Sequence, residues 1–207
     1  AAGAVFDRFE ALEIVSDVDG IAEAVFDLGD DGAFPELAEL MAPGEELRVY
    51  LNGLLRLTGR AEVNEVPGAP DAGVTMRLSV RTKLADAQIA SADPGLQVRN
   101  ATVRELILRA FAPFGYVEAD FVFGEFADVN LMTGRSAKGY VEVDLDKIEI
   151  QQAKVQPPET VFEFVSRHLA RYRATLWDSP DGRIIVGRPD DEQAPTYRFQ
   201  AKRGAAS

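Results

Sequence analysis

The run ELRVYL-NG-LLRLTGRAEVNEV, from Glu46 to Val66, has the form of two strands about a two-residue turn. Asn52-Gly53 is the dipeptide that best supplies positive φ at both central positions of a type I′ turn, whose twist matches that of the flanking strands. Pro43-Gly44 breaks the chain just before this unit, and the Pro/Gly loop Pro67 to Gly73 follows it. Working outward, Val74 to Val80 alternates, with Val74, Met76, Leu78 and Val80 on one side. Upstream, Phe9 to Val15 places Phe9, Ala11 and Val15 on one side. Ile21 to Leu28 places Ala22, Ala24, Phe26 and Leu28 together, after the turn-rich Ser16-Asp-Val-Asp-Gly20. About five short antiparallel strands separated by turns predict a small β-barrel or sandwich.

The period changes after Lys83. Lys83 to Ala90 reads as a short helix closed by Asp93-Pro94-Gly95. Thr102-Val-Arg-Glu105 is a capping box, in which a hydroxyl and a carboxylate satisfy the orphan backbone donors of a helix start. Behind it Val103, Leu106, Ile107, Ala110, Phe111 and Phe114 form one apolar stripe, ended by Pro113 and Gly115. Thr160-Val-Phe-Glu163 repeats the signal after Pro157-Pro158, with Val161, Phe164, Val165, His168 or Leu169, and Tyr172 on the apolar face. Tyr116 to Phe123 and Tyr140 to Ala153 read as extended, around a polar loop from Asn130 to Gly139. Ala174 to Trp177 and Arg183 to Val186 form a second hairpin about the turn Asp178 to Gly182. The fold class is therefore α+β: residues 1–88 a small antiparallel β-barrel, residues 89–190 an α+β domain with two amphipathic helices and a hairpin, and residues 191–207 a polar C-terminal segment.

Composition bounds the function. Thirty-four acidic residues against 22 basic ones leave a formal net charge of −12 over 207 residues. Gripping a phosphate backbone takes clustered Lys and Arg, so sequence-specific nucleic-acid binding is not expected. The same acidity suits a surface that DNA passes without sticking, acting over about 8 Å at physiological salt, or simply keeps the chain dissolved. With no cysteine there are neither disulfides nor thiolate metal sites. No apolar run approaches the ~20 residues of a membrane helix, and residues 1 to 9 do not resemble a signal peptide. A soluble chain made without an export signal, and no membrane partner, are the expectations.

Candidate chemistry is sparse. His168, the single histidine, could act as a base or ligand, but its place on an amphipathic helix favours a packed ring. Asp17 and Asp19 before Gly20 resemble part of a calcium loop that lacks its third ligand and closing Glu. Asp30-Asp31-Gly32 and Asp178-Ser-Pro-Asp181-Gly182 read as turn chemistry. Gly134-Arg-Ser-Ala-Lys138-Gly139 is not a P-loop, because its order is wrong and no Ser or Thr follows the Lys. Asn100-Ala-Thr102 matches a glycosylation triplet that no export signal supports. Trp177 and Arg183 could stack a base or sugar, although a lone Trp beside an apolar helix more often packs into a core. No residue is assigned a catalytic, cofactor-binding or metal-binding role, and no cofactor is expected. The reading is a protein that is not an enzyme.

The order of these pieces resembles the Mu-like baseplate hub family, related to the phage late control D proteins. The opening strand pair is carried by Phe9-Glu-Ala-Leu-Glu-Ile14 and Ala22-Glu-Ala-Val-Phe26. Ala42-Pro-Gly-Glu45, Leu47-Arg-Val-Tyr-Leu51-Asn-Gly53, Leu57-Thr-Gly59 and Val80-Arg-Thr-Lys-Leu-Ala-Asp86 continue the match. Its clearest part runs Glu159-Thr-Val-Phe-Glu-Phe-Val-Ser-Arg167-His-Leu-Ala170, then Ala174-Thr-Leu-Trp177 and Asp181-Gly-Arg-Ile-Ile185 to Arg188-Pro189. The likeness covers most of residues 6 to 190, and residues 124–144 match nothing in it. It implies a virion protein of the tail baseplate, with a tail-tube-like first barrel and an inserted domain leading towards a second barrel that this stretch lacks. It also implies self-association as a trimer in the full-length protein, tail tube and spike proteins as partners, and a lumen for DNA ejection. Related alternatives are the hub of a type VI secretion spike, a tailocin or a gene transfer agent; a more distant one is a tail-tip cell-wall hydrolase or carbohydrate-binding module.

Overall fold

A computed structural model describes residues 9–16, 22–28, 44–66, 75–124, 126–127, 142–143 and 148–187. The first unit is a five-stranded antiparallel sheet made of β1 (Ala11–Val15), β2 (Glu23–Leu28), β3 (Glu46–Leu51), β4 (Leu54–Val66) and β5 (Thr75–Arg81). Its order is β1-β2-β5-β4-β3. The β3–β4 turn is formed as expected, with Asn52 at φ +54° and Gly53 at φ +76°. The sheet curls into an open half-barrel. Ala22, Ala24, Leu28, Val49, Leu57, Ala61, Leu78 and Val80 are buried on its inner face, with Leu12, Ile14, Phe26 and Leu47 packed against them. Register explains the alternation: Leu12 and Leu78 both oppose Phe26, and Ile14 and Val80 both oppose Ala24.

The second unit starts with α1 (Lys83–Ile89), β6 (Gln97–Thr102) and α2 (Val103–Phe111), followed by 3-10 turns at Ala112–Phe114 and Glu118–Asp120. Then come β7 (Phe121–Phe123), β8 (Phe126–Ala127), β9 (Glu142–Val143), β10 (Glu149–Lys154), α3 (Val161–Leu169), a 3-10 turn at Ala170–Tyr172, β11 (Thr175–Asp178) and β12 (Ile184–Gly187). Both capping boxes are present: the Thr102 and Thr160 hydroxyls accept from the Glu105 and Glu163 amides, and both Glu carboxylates reach back. One core joins these elements. Leu106, Ile107 and Phe111 of α2 meet Val161, Phe164, Val165 and Leu169 of α3 over Leu176, Ile184 and Val186 of the β11–β12 hairpin. Burying each such side chain contributes about 1.5–3 kcal/mol. Leu84 and Ala87 of α1 belong to this core, not to that of the sheet.

Two elements differ from expectation. β6 lies where the sequence pattern predicts no strand; it pairs antiparallel with β10, and its buried Val98 and Ala101 lie three positions apart. Asn100, at φ +46° and outside the paired register, breaks the two-residue period there. Between Tyr116 and Phe123 only the last three residues are strand, because the Asp120 carboxylate accepts from the Val117 amide and folds residues 118–120 into a tight turn. β7 instead joins β12 in parallel, making the three-stranded sheet β11-β12-β7.

Where the two units touch, the contacts are polar. The Thr58 hydroxyl of β4 donates to the Pro180 carbonyl at 2.8 Å, and the Thr82 hydroxyl donates to the Asp178 carboxylate. Arg60 of β4 pairs with Asp86 of α1 at 3.2 Å; beside this seam, within the second unit, Lys83 pairs with Asp120 at 3.1 Å and the Tyr116 hydroxyl donates to the Lys83 carbonyl.

Candidate assembly surface

A sheet of five antiparallel strands that does not close presents two end strands, β1 and β3, each with one neighbour among the described residues. The outward row of amides and carbonyls on such a strand is a template for a further strand. Exposed apolar side chains gather at these ends. Phe9 (42% exposed) and Val15 (48%) flank β1, while Tyr50 (55%), Leu51 (43%) and Leu54 (57%) surround the β3–β4 turn. Phe9 is held edge-on against Phe26 at 5.5 Å. Among the described residues only Ile89 and Val117 are other large apolar side chains with comparable exposure.

The outer face between the two ends is charged but internally paired. Arg81 bridges Glu23 at 3.1 Å and Glu62 at 2.9 Å, and Arg77 meets Asp27 at 3.0 Å. Glu23 opposes Arg81 and Asp27 opposes Arg77 in the β2–β5 register, so the alternation that fills the inner face also builds this ladder. Solvent-exposed pairs of this kind each stabilise by at most about 1 kcal/mol. Carboxylates and guanidiniums alternate here, so this face does not carry the chain's acid excess.

The residues singled out from the sequence are not brought together. His168 is 3% exposed, edge-on to the Phe164 ring at 5.3 Å, with no hydrogen-bond partner on either ring nitrogen. Burial, with Arg167 and Arg171 nearby, lowers its pKa to about 4, so the ring is neutral and packed. Asp178 to Gly182 is a turn, closed by the Ser179 amide on the Arg183 carbonyl at 2.8 Å and by Gly182 at φ +83°. Asp181 accepts from Ser179 and from Arg183, chiefly the latter, which holds its carboxyl down at about 2. Trp177 is half-buried against Gly187, where a Cβ would stand 3.2 Å from its ring. Thr102, the last residue of the glycosylation triplet, spends its hydroxyl on the α2 cap. Asp17, Asp19, Asp30-Asp31-Gly32, the Gly134–Gly139 loop, most of residues 124–144 and residues 191–207 lie outside the described residues. Among the described residues no cluster of three or more His, Asp or Glu is placed to hold a metal ion, and no helix is long and apolar enough to cross a membrane.

A half-barrel followed by a helical α+β unit is the fold of solved phage-tail proteins. The 43 kDa tail protein of prophage MuSo2 from Shewanella oneidensis superposes with a TM-score of 0.63 at 18% identity, over 89% of this chain and 50% of that one. The tail protein from Neisseria meningitidis MC58 gives 0.64 at 19% identity, over 94% and 51%. The E. coli c3393 protein, a type VI secretion component described as similar to the T4 tail proteins gp27 and gp5, gives 0.50 at 10%, over 86% and 46%. The chain thus spans about half the length of these structures. No family model matches the chain, and no curated protein matches its sequence.

Proposed function

We propose that this chain is the ring-building part of a baseplate hub from a contractile phage-type tail, joining the tail tube to the central spike. The observation that carries this reading is the open half-barrel with exposed apolar side chains at both end strands, in a fold shared with tail proteins. Residues 1–88 carry the tube-type module, with α1 at their end passing into the core of the inserted unit of residues 89–190, and residues 191–207 lead towards a second barrel in the full-length protein. The role is assembly, without catalysis, in the virion baseplate.

Strand direction supports a head-to-tail ring. Each neighbour in β1-β2-β5-β4-β3 is antiparallel, so β1 and β3, four steps apart, run the same way. Rotation about an axis along the strands therefore sets β3 of one copy beside β1 of the next in parallel, a heterologous contact that closes into a ring. Three full-length copies, each with two barrels, make six modules around a lumen. The net charge of −12 suits a lumen through which DNA is ejected. The same geometry serves the hub of a related injection machine, and the match to a type VI secretion component favours keeping that second reading. Sedimentation of the full-length gene product tests both: a trimer is expected, and a monomer at micromolar concentration contradicts them.

A further inference from the structure

The polar contact between the two units holds a carboxylate that neither fold nor assembly requires. α2 and α3 cap themselves through Thr102 and Thr160, but the Thr82 side chain makes no cap bond to its own helix, α1. It donates instead to Asp178, 96 positions further on, whose carboxylate lies beside the Leu84 amide in the first turn of α1. The side chain at the N-cap position of the helix that leaves the sheet is therefore bound to β11 across the seam.

The other Asp178 oxygen, Oδ1, is buried with no hydrogen-bond partner. The charged groups around it are otherwise engaged. On α1, Lys83 is held by Asp120 and Asp86 by Arg60; on α3, Arg167 is held by Glu159, and His168 is buried and neutral. In the adjoining turn Asp181 pairs with Arg183, Tyr116 donates to the Lys83 carbonyl, and β12 (Ile-Ile-Val-Gly) has nothing to titrate. Among the described residues no cation pairs with Asp178.

We propose that Asp178 is a proton-operated clasp: protonated, it holds the half-barrel against the second unit, and ionised, it lets the seam open. An ionised carboxylate with one oxygen withdrawn from water and unpaired is costly, and opening the seam rehydrates it. Burial, the largest cause, pushes its pKa up from 3.8 to about 6 in the closed seam. The closed seam thus binds a proton more tightly than an open one, and opening becomes easier as pH rises between those two values, by up to about a hundredfold.

Hydrogen–deuterium exchange at Leu84 to Ala87, corrected for intrinsic rates, tests this over a pH series that includes pH 5 and pH 7.5. In the wild-type chain, opening is expected to be about tenfold more frequent at pH 7.5. Asp178→Asn should remove the pH dependence. Thr82→Val, which deletes a hydrogen bond that favours the charged form, should move the midpoint upward. Equal protection at both pH values in the wild type, the wild-type slope surviving in Asp178→Asn, or an unmoved midpoint in Thr82→Val would each overturn the proposal.

Discussion

Gly59 of β4 crosses the end of β5 so closely that a Cβ on it would stand 2.3 Å from the Arg81 carbonyl oxygen and 2.6 Å from its carbon. The obstacle is backbone, so no side chain can rotate aside. It lies at Arg81, one residue before Thr82 and the seam. Gly59→Ala should destabilise the chain by roughly 1–3 kcal/mol, the range for forced overpacking. Thermal unfolding followed by circular dichroism should show a midpoint lower by several degrees; an unchanged midpoint would mean that β4 and β5 are further apart than described.

The two capping boxes offer a milder test. Thr102→Ala and Thr160→Ala each remove the acceptor for one helix-start amide, Glu105 and Glu163 respectively. Each should cost about 1 kcal/mol in urea denaturation. Since α2 and α3 pack together, the double variant need not be additive. A loss below a few tenths of a kcal/mol in both single variants would contradict the cap geometry.

His168 sets an acid limit. Its pKa falls from 6.5 unfolded to about 4 folded, through burial first and the nearby Arg167 and Arg171 second, with Glu159 opposing. The unfolded chain therefore binds the proton first, and stability present above pH 6.5 is lost as pH falls towards 4, by roughly 3 kcal/mol. Asp178, raised to about 6, acts in the opposite sense over an overlapping window, gaining stability as pH falls from 6 to 3.8. The wild-type profile should be flattened by this opposition. His168→Leu should unmask the Asp178 slope, so that urea stability rises between pH 7 and pH 4. A variant whose profile stays as flat as that of the wild type would show that His168 is not the group responsible.

Tyr50 and Leu54 flank the β3–β4 turn, and each is more than half exposed. Replacing both with Lys should leave the thermal midpoint within about 1 °C of wild type, as surface changes away from caps and cores do. The same change should abolish self-association of the full-length product in sedimentation, because edge lysines block strand addition. Retention of the wild-type oligomer would place its interface elsewhere.

What could be read in advance followed local chemistry. The β3–β4 hairpin was clear because Asn52-Gly53 has one strongly favoured geometry, and α2 and α3 because each carries a cap three residues before its acid. β6 was hidden because Asn100 shifts its buried positions from a spacing of two to three. The expected small antiparallel barrel is present as a curled half-barrel, because alternation along each strand reports the buried inner face. The exposed apolar turn did leave a signal: Leu51 and Leu54-Leu55 interrupt the alternation on both sides of Asn52-Gly53. The Thr82–Asp178 contact left none. No propensity links residues 96 positions apart, and Asp178 in Asp-Ser-Pro-Asp-Gly looks like any other turn residue.

The central claim is that this half-barrel builds a ring through β1 and β3. Cryo-electron microscopy of the intact particle, at a resolution that traces strands, tests it most directly. The account predicts three copies of the full-length product at the tube–spike junction, with β3 of one module against β1 of the next in parallel and Tyr50, Leu51 and Leu54 covered. Density for the chain away from that junction, or both end strands facing solvent within it, would contradict the account.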